Sequence, residues 1–417
     1  MKLAAISMIR DEADIVASFL RHLDAMFDIV ILLDQRSSDG STVVMKAACG
    51  QRADWRYYLC DFAGRHQKEM INFIMPKAFE MGADALFVLD SDEFIALETR
   101  DELQQRAHDM QNNVAAGRFF WRACVPVRFD EWKFDLDAPA WRARKAASVQ
   151  KVAISRALFE QRPDLRFRQG SHDWEETERE PPVIELGDLY HFPLRSRQQA
   201  VLKTCIGSIA YFSKGNMMID EGWHRRQMLG LIASGSLNDA ALAGFASSYS
   251  EESSRKPFAA APRIIAEAFE KRVLPIARSD LPLPELAKPD FDAALAQALM
   301  EFKFEFASGP APAFDVRGEV MTIRDVQSDP REQISANSAT IQRLDAEIGS
   351  ARDELSHAQS QIVKLQSDMA DVQTDMANVQ TEVEQIRTAM EGVRNINWLV
   401  RASKNVRKLL GRRIHGE

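Results

Sequence analysis

Over the first hundred residues, short runs that are apolar at nearly every position alternate with stretches whose apolar residues return every three or four. Leu3–Met8, Asp28–Leu33 (D-I-V-I-L-L), Trp55–Cys60 (W-R-Y-Y-L-C) and Ala85–Leu89 (A-L-F-V-L) predict strands, and Ala13–Ala25 and Gln67–Met81 predict amphipathic helices. Strands that are apolar throughout are covered on both faces, as in a parallel sheet. Right-handed crossovers then bring the strand C-terminal ends to one edge, where open α/β sheets bind ligands. Residues 101–200 mix helix with aromatic-rich, strand-like pieces such as Arg118–Arg128, and from about 197 to 306 the pattern is mainly helical. Residues 307–335 carry Gly, Pro, Ser and charge without periodicity and read as a linker.

From Ile341 to Val393 the period changes to seven. With Ile341 as a, the a positions are Ile341, Ile348, Leu355, Ile362, Met369, Met376, Val383 and Met390. The d positions are Leu344, Ala351, Ala358, Leu365, Val372, Val379, Ile386 and Val393. All are apolar and no stutter interrupts them, which predicts a self-associating coiled coil, dimeric or trimeric, roughly 80 Å long.

Composition narrows the classes. The 417 residues are 46% hydrophobic and 27% charged, enough apolar material for a sizeable core. A formal net charge of −8 gives no global positive field for nucleic acid, and none is expected as a partner. The average hides a basic end: residues 394–417 hold seven Lys or Arg and one acid. From Trp398 to Ile414 the basic residues interleave with Trp398, Leu399, Val400, Val406, Leu409, Leu410 and Ile414, the pattern of an interfacial helix drawn to anionic lipid. Cys49, Cys60, Cys124 and Cys205 are scattered without a CxxC pair, and no run of about 18 apolar residues occurs. The expectation is a cytoplasmic protein, peripheral at the inner face of a membrane.

The chemistry concentrates at strand ends. A-L-F-V-L-D-S-D-E-F places Asp90, Asp92 and Glu93 directly after an apolar strand, where like charges repel and desolvation adds to the cost. Residues two apart in an extended chain point to one side, so Asp90 and Asp92 can share a divalent cation, and carboxylate oxygens suit Mg2+ or Mn2+. The competing reading is a solvated turn with a helix cap. Asp34 ends the second strand in L-L-D-Q-R-S-S-D-G-S, on the same edge, where an acid can accept hydrogen bonds from a base or ribose.

M-I-R-D-E-A-D-I-V, L-L-D-Q-R-S-S-D-G-S and V-L-D-S-D-E-F, in that order, resemble the family-2-type glycosyltransferases, in the branch whose third motif reads D-x-D-E-F. L-Y-H-F-P-L-R-S-R-Q-Q-A-V-L-K resembles that branch's H-F-x-x-R-S-x-x-Q-x-x-x-K segment. The resemblance covers residues 1–225, with one departure at Asp11, where the family usually has Asn. It implies a GT-A fold (a Rossmann-like nucleotide-diphospho-sugar transferase domain), a nucleotide-sugar donor, Mn2+ or Mg2+, and inversion at the anomeric centre. Asp34 maps onto the nucleotide-reading acid, and Asp90 and Asp92 onto the metal pair, with His191 as third ligand and His172 as second candidate. Glu12, Arg195 and Lys203 map onto substrate-binding positions. Glu93 and Asp173 are the candidates for the base that activates the acceptor hydroxyl; Glu175 and Glu176 follow Asp173 as surface acids. Trp121 and Trp174 either stack on a sugar or belong to the core.

The resulting organisation is a GT-A domain over 1–230, a helical accessory region over 231–306, a linker over 307–335, a coiled coil over 336–396 and a basic amphipathic tail over 397–417. The expected activity is transfer of a sugar to a glycan, lipid or protein acceptor. Two other readings stay open. A sugar nucleotidyltransferase wants a Gly-rich basic loop after the first strand, and M-I-R-D-E-A-D has no glycine. A non-catalytic coiled-coil scaffold would have no need of Asp34, Asp90, Asp92 and His191 together.

Overall fold

β1 (Leu3–Ile9) sends alternate side chains to opposite faces: Leu3 and Ala5 enter one apolar cluster, Ala4 and Ile6 another. In the computed structural model, which describes residues 1–60, 66–175, 179–213, 223–252 and 257–290 with 293, 323–325, 381 and 385, both clusters are closed by helices. α1 (Val16–Met26) and α2 (Ser41–Gln51) cover the first face with Phe19, Leu23, Val44 and Met45, joined by α4 (Arg100–Asn112). α3 (Gln67–Glu80) covers the second with Met70, Ile74 and Phe79. A sheet buried on both faces explains why its strands are apolar throughout.

β1, β2 (Ile29–Asp34), β3 (Trp55–Cys60) and β4 (Ala85–Val88) are parallel, in the order β3-β2-β1-β4. The direction of winding therefore reverses between β1 and β4. At such a switch point the loops after the two strands part and leave a crevice at their C-terminal ends. Beyond β4 the sheet turns antiparallel through β8 (Gln150–Ser155), β6 (Ala116–Pro126), β7 (Ala140–Ala143) and β10 (Phe269–Arg272). β5 (Glu93–Ile95) pairs with β9 (Val183–His191), which also runs parallel to β6. β11 (Ile323–Asp325) lies antiparallel on β3. The mixed sheet with a parallel core agrees with the α/β expectation.

A third apolar cluster joins Ala123 and Val125 of β6 to α8 (Asp239–Ser247) and α9 (Ala261–Ala268) through Leu242, Phe245 and Ile264. α6 (Arg197–Ser213) and α7 (Trp223–Ala233) precede them, and the short α5 (Arg156–Gln161) follows β8. The helical reading to 306 fails at β10 and over the irregular residues 273–290. That stretch contains Pro275, Pro282, Pro284 and Pro289, each lacking the N–H a helix needs. It runs instead as an extended strap along α1. Ser279 N donates to Arg21 O (3.0 Å), Arg21 Nε to Leu281 O (3.1 Å) and His22 Nδ1 to Ala277 O (2.7 Å). With Nδ1 donating, His22 Nε2 accepts from Ile95 N at 3.0 Å, and burial pushes its pKa down to about 4. The strap ends against Gly40, whose φ of +100° favours glycine and whose added Cβ would lie 3.2 Å from Leu286.

No helix among the described residues is long and apolar enough to cross a membrane. The chain divides into two units, Met1–Gln327 and Ser328–Glu417. The coiled coil and the basic tail predicted for the second lie outside the described residues, apart from two helical positions, Thr381 and Gln385.

Candidate functional site

The loops after β1 and β4 meet at the switch point, and the segment from His191 into α6 crosses both. After β4 the chain turns at once: Glu93 N donates to Asp90 O at 3.0 Å, and Asp90 N donates back to Glu93 Oε2 at 2.9 Å. This turn gives Asp90 and Asp92 different protein partners. The two carboxylates still feel each other, burial and Asp92 working to raise the Asp90 carboxyl against the pull of Lys151. Asp90 Oδ2 accepts from Lys151 Nζ at 2.7 Å and Oδ1 from Gln67 Nε2 at 2.8 Å. Asp92 Oδ2 accepts from Lys203 Nζ at 2.7 Å, with Arg195 Nη1 3.8 Å away, and Oδ1 faces His191 Nε2 across 3.8 Å. Burial pushes the Asp92 carboxyl up, but Lys203, His191 and Arg195 outweigh it and hold the pKa well below the usual range.

The segment R-S-R-Q-Q-A-V-L-K explains itself as local structure. Ser196 Oγ accepts from Gln199 N (3.1 Å) and Gln199 Oε1 accepts from Arg195 N (3.2 Å), a reciprocal cap that starts α6. Phe192 N donates to Asp92 O at 2.9 Å, tying the segment to the D-S-D turn. Arg195, with no exposed side-chain area, then spends its donors inside the protein. Nε and Nη2 reach Asp14 at 2.6 and 2.8 Å, Nη2 also reaches Glu12, and Nη1 reaches Phe192 O at 3.1 Å. Two turns further along α6, Lys203 bridges Asp92 and Glu12 Oε1 (3.3 Å) with a third of its side chain exposed.

His191 closes the site from β9, where it pairs with Glu93 in register. Its ring stacks on Trp121 (centroids 4.0 Å, 25°) and meets Tyr249 edge-on at 4.9 Å. Burial lowers its pKa to about 4, so the imidazole is neutral near pH 7, and its buried Nδ1 has no hydrogen-bond partner. A neutral imidazole beside an ionised carboxylate is a donor set that suits a divalent cation. Among the described residues no group of three or more His, Cys, Asp or Glu converges as an all-protein metal cage. A cation that also takes substrate phosphate oxygens needs only one or two protein ligands, and Asp92 with His191 fits that case.

No protein-family model matches the chain, and no curated protein does. Among solved structures it is similar to a mannosyltransferase from Pyrobaculum calidifontis in complex with GDP-Man and Mn2+ (14% identity, 82% of this chain and 80% of that one, TM-score 0.31). It is also similar to a mycobacterial protein (14%, 51% and 74%, 0.27). A third likeness is to a putative glucose-1-phosphate thymidylyltransferase from Bacillus anthracis in complex with a sucrose (11%, 44% and 86%, 0.27).

Three of the expected site residues are engaged by the protein itself. Glu93 has no exposed area: Oε1 accepts from Trp121 Nε1 at 2.7 Å, and Oε2 from Asp90 N with Lys151 Nζ at 3.4 Å. Burial pushes its pKa up to about 8, and its carboxylate positions Trp121 and Asp90. Asp34 stands at the predicted strand end but is fully buried, accepting from Tyr57 Oη (2.7 Å), Thr42 Oγ1 (2.5 Å) and Ser37 N (2.8 Å). It organises the turn after β2. Arg195 holds Glu12 and Asp14. Glu12 itself is buried, its pKa raised by burial against the pull of Arg195 and Lys203.

His172 Nδ1 donates to Gln150 O (2.8 Å), and the ring packs edge-on against Trp121 at 4.9 Å. Asp173 beside it is well exposed, caps Trp174 N at 2.9 Å and lies 3.8 Å from Arg118. Glu175 pairs with Lys68 at 3.0 Å, Trp174 is core against Phe167, and Glu176 lies outside the described residues. Lys151, Asp14 and Gln67 were not among the expected site residues. Lys151 had a signal, a lone cation in the apolar strand Q-K-V-A-I-S, and Asp14 is the last acid of R-D-E-A-D. Gln67 had none.

Proposed function

We propose that the chain is a metal-dependent glycosyltransferase that moves a sugar from a nucleoside-diphosphate donor to a glycan, lipid or protein acceptor with inversion. One observation carries the reading. At the switch-point edge of a parallel sheet, Oδ1 of an ionised Asp92 faces Nε2 of a neutral His191 across 3.8 Å, with a partly exposed Lys203 on the other carboxylate oxygen. Asp92 and His191 would hold Mn2+ or Mg2+, and such a cation, when bound, neutralises charge on the departing diphosphate. Lys203 adds a mobile ammonium for phosphate oxygens. Lys151 and Arg195 fix the loops after β4 and β1, so the ligand atoms are held before donor arrives. Asp173 is the candidate for the base that water reaches: its side chain is partly exposed, and its neighbour His172 packs on the same Trp121 as His191. The likeness to the mannosyltransferase complexed with GDP-Man and Mn2+ is of the same kind of chemistry but too distant to add weight.

The test is a donor-hydrolysis screen across nucleotide sugars with Mn2+, reading released nucleoside diphosphate. Asp92→Asn should cut turnover by orders of magnitude, because stabilisation of the leaving group by the metal is worth several kcal/mol. Calorimetric titration of the diphosphate should show affinity that EDTA and Asp92→Asn both abolish. Equal, EDTA-insensitive affinity in parent and variant would overturn the reading.

A further inference from the structure

We infer that Lys203 is a latch on Asp92 that makes cation binding depend on the diphosphate. The inference rests on the donor reading above. Three cations of the site stand against its acids, and they differ in freedom. Arg195 has no exposed side-chain area and is held by Asp14, Glu12 and a carbonyl; Lys151 is 1% exposed between Asp90 and Glu93. Lys203 is 33% exposed, on a four-carbon stem with rotatable donors, and its two partners are Asp92 Oδ2 at 2.7 Å and Glu12 Oε1 at 3.3 Å.

The carboxylate that Lys203 covers is the one that faces His191. An ammonium 2.7 Å from an Asp92 oxygen repels any divalent cation that would share the carboxylate. A diphosphate removes that obstacle, because its oxygens, more highly charged, offer Lys203 a stronger partner than a single carboxylate that Arg195 also faces at 3.8 Å. Lys203 swings onto phosphate, Asp92 is released toward His191, and the two ligands enter together. Glu12 is the pivot: it keeps a second contact to the ammonium, and Arg195 pins it in place. The consequence is reciprocal coupling between cation and diphosphate, each raising the affinity for the other.

The experiment titrates Mn2+ into the full chain, following free Mn2+ by electron paramagnetic resonance, alone and with saturating UDP, GDP, dTDP, CDP or ADP. In the parent, Mn2+ alone should bind weakly and a diphosphate should tighten it. Lys203→Gln should bind Mn2+ alone roughly tenfold more tightly than the parent, a coupling of ordinary size, and lose the gain from diphosphate. Lys203→Arg, which keeps the charge, should behave as the parent. Thermal melts confirm folding, and Lys203→Met replaces Lys203→Gln if that variant melts early. If neutral variants bind Mn2+ alone no better than the parent, while the parent takes Mn2+ with a diphosphate, the latch is wrong and the donor reading stands. If the parent takes no Mn2+ with any diphosphate, the donor reading fails and the latch with it.

Discussion

Asp11 shows how a single side chain sets a pH dependence. It sits at φ 54°, its Oδ1 accepts from Ser38 N (2.7 Å) and Ser38 Oγ (3.1 Å), and its own N–H donates to Ser37 Oγ (3.1 Å). Burial and the nearby Asp39 push its pKa up to about 6. An acid whose folded pKa exceeds the unfolded value favours the fold while protonated and burdens it once ionised. The burden is absent below about pH 4, grows through pH 6 and is complete above it. Asn keeps the acceptor oxygen and never ionises. Asp11→Asn is therefore expected to gain about 1–3 kcal/mol at pH 7.5 and nothing near pH 4, read as melting-temperature differences at the two values. A gain independent of pH would show that charge is not its source. The residue resemblance already marked Asp11 as a departure from Asn; its burial between two loops supplies the reason the departure matters. Other residue roles were not legible in the sequence. Glu93 and Asp92 are neighbours in one motif, yet one is bonded to Trp121 and the other to Lys203, and only the turn at Asp90 decides which.

At the scale of elements, apolar runs located β1 to β4 within a residue or so at each end, since continuous burial leaves a plain signal. α2 was missed although Val44, Met45, Ala48 and Cys49 fall on one helical face, because β-branched residues and a glycine weaken the pattern. The strap over 273–290 reads helical only if its prolines are ignored. β5 is three residues long and exists through its pairing with β9, which no local pattern announces. The union of β1, β4 and α6 depends on Arg195 in the same non-local way. Glu12 and Asp14 come from one loop, Asp92 from another, and Arg195 sits just before α6 with no exposure to water. Arg195→Met should cost about 3–5 kcal/mol, because it leaves buried carboxylates unpaired rather than removing a neutral contact. Arg195→Lys should recover little, having no planar fork for Asp14. Denaturant midpoints measure both, and an unchanged midpoint for Arg195→Met would mean that the acids are hydrated without it.

For the whole molecule, the seven-residue repeat of Ile341–Val393 bears on how many chains act together. The g positions Glu347 and Glu382 and the e positions Arg352 and Arg387 suit the g-to-next-e pairs of parallel helices. Light scattering should then give a dimer or trimer for the full chain and a monomer for one ending near residue 330. Equal monomeric masses would remove the coiled coil from the account. Parallel association has a further consequence, because it gathers the basic tails of all chains at one end of the coil. One tail has six Lys or Arg between Arg401 and Arg413, each worth about 1 kcal/mol near an anionic surface, so one tail alone binds modestly. Two or three tails on one such rod would bind as a unit, because after the first contact the others would meet the surface at high effective concentration. Deleting residues 394–417 should release the protein from anionic liposomes in co-sedimentation. Rising salt should release the parent progressively, since the attraction is screened over about 10 Å at 0.1 M. Replacing Leu355 and Ile362 by Asp, which breaks the a seam and leaves every tail residue in place, should weaken sedimentation as well. Full binding after tail deletion would assign the membrane contact to another surface. Full binding by the seam variant would show that one tail suffices.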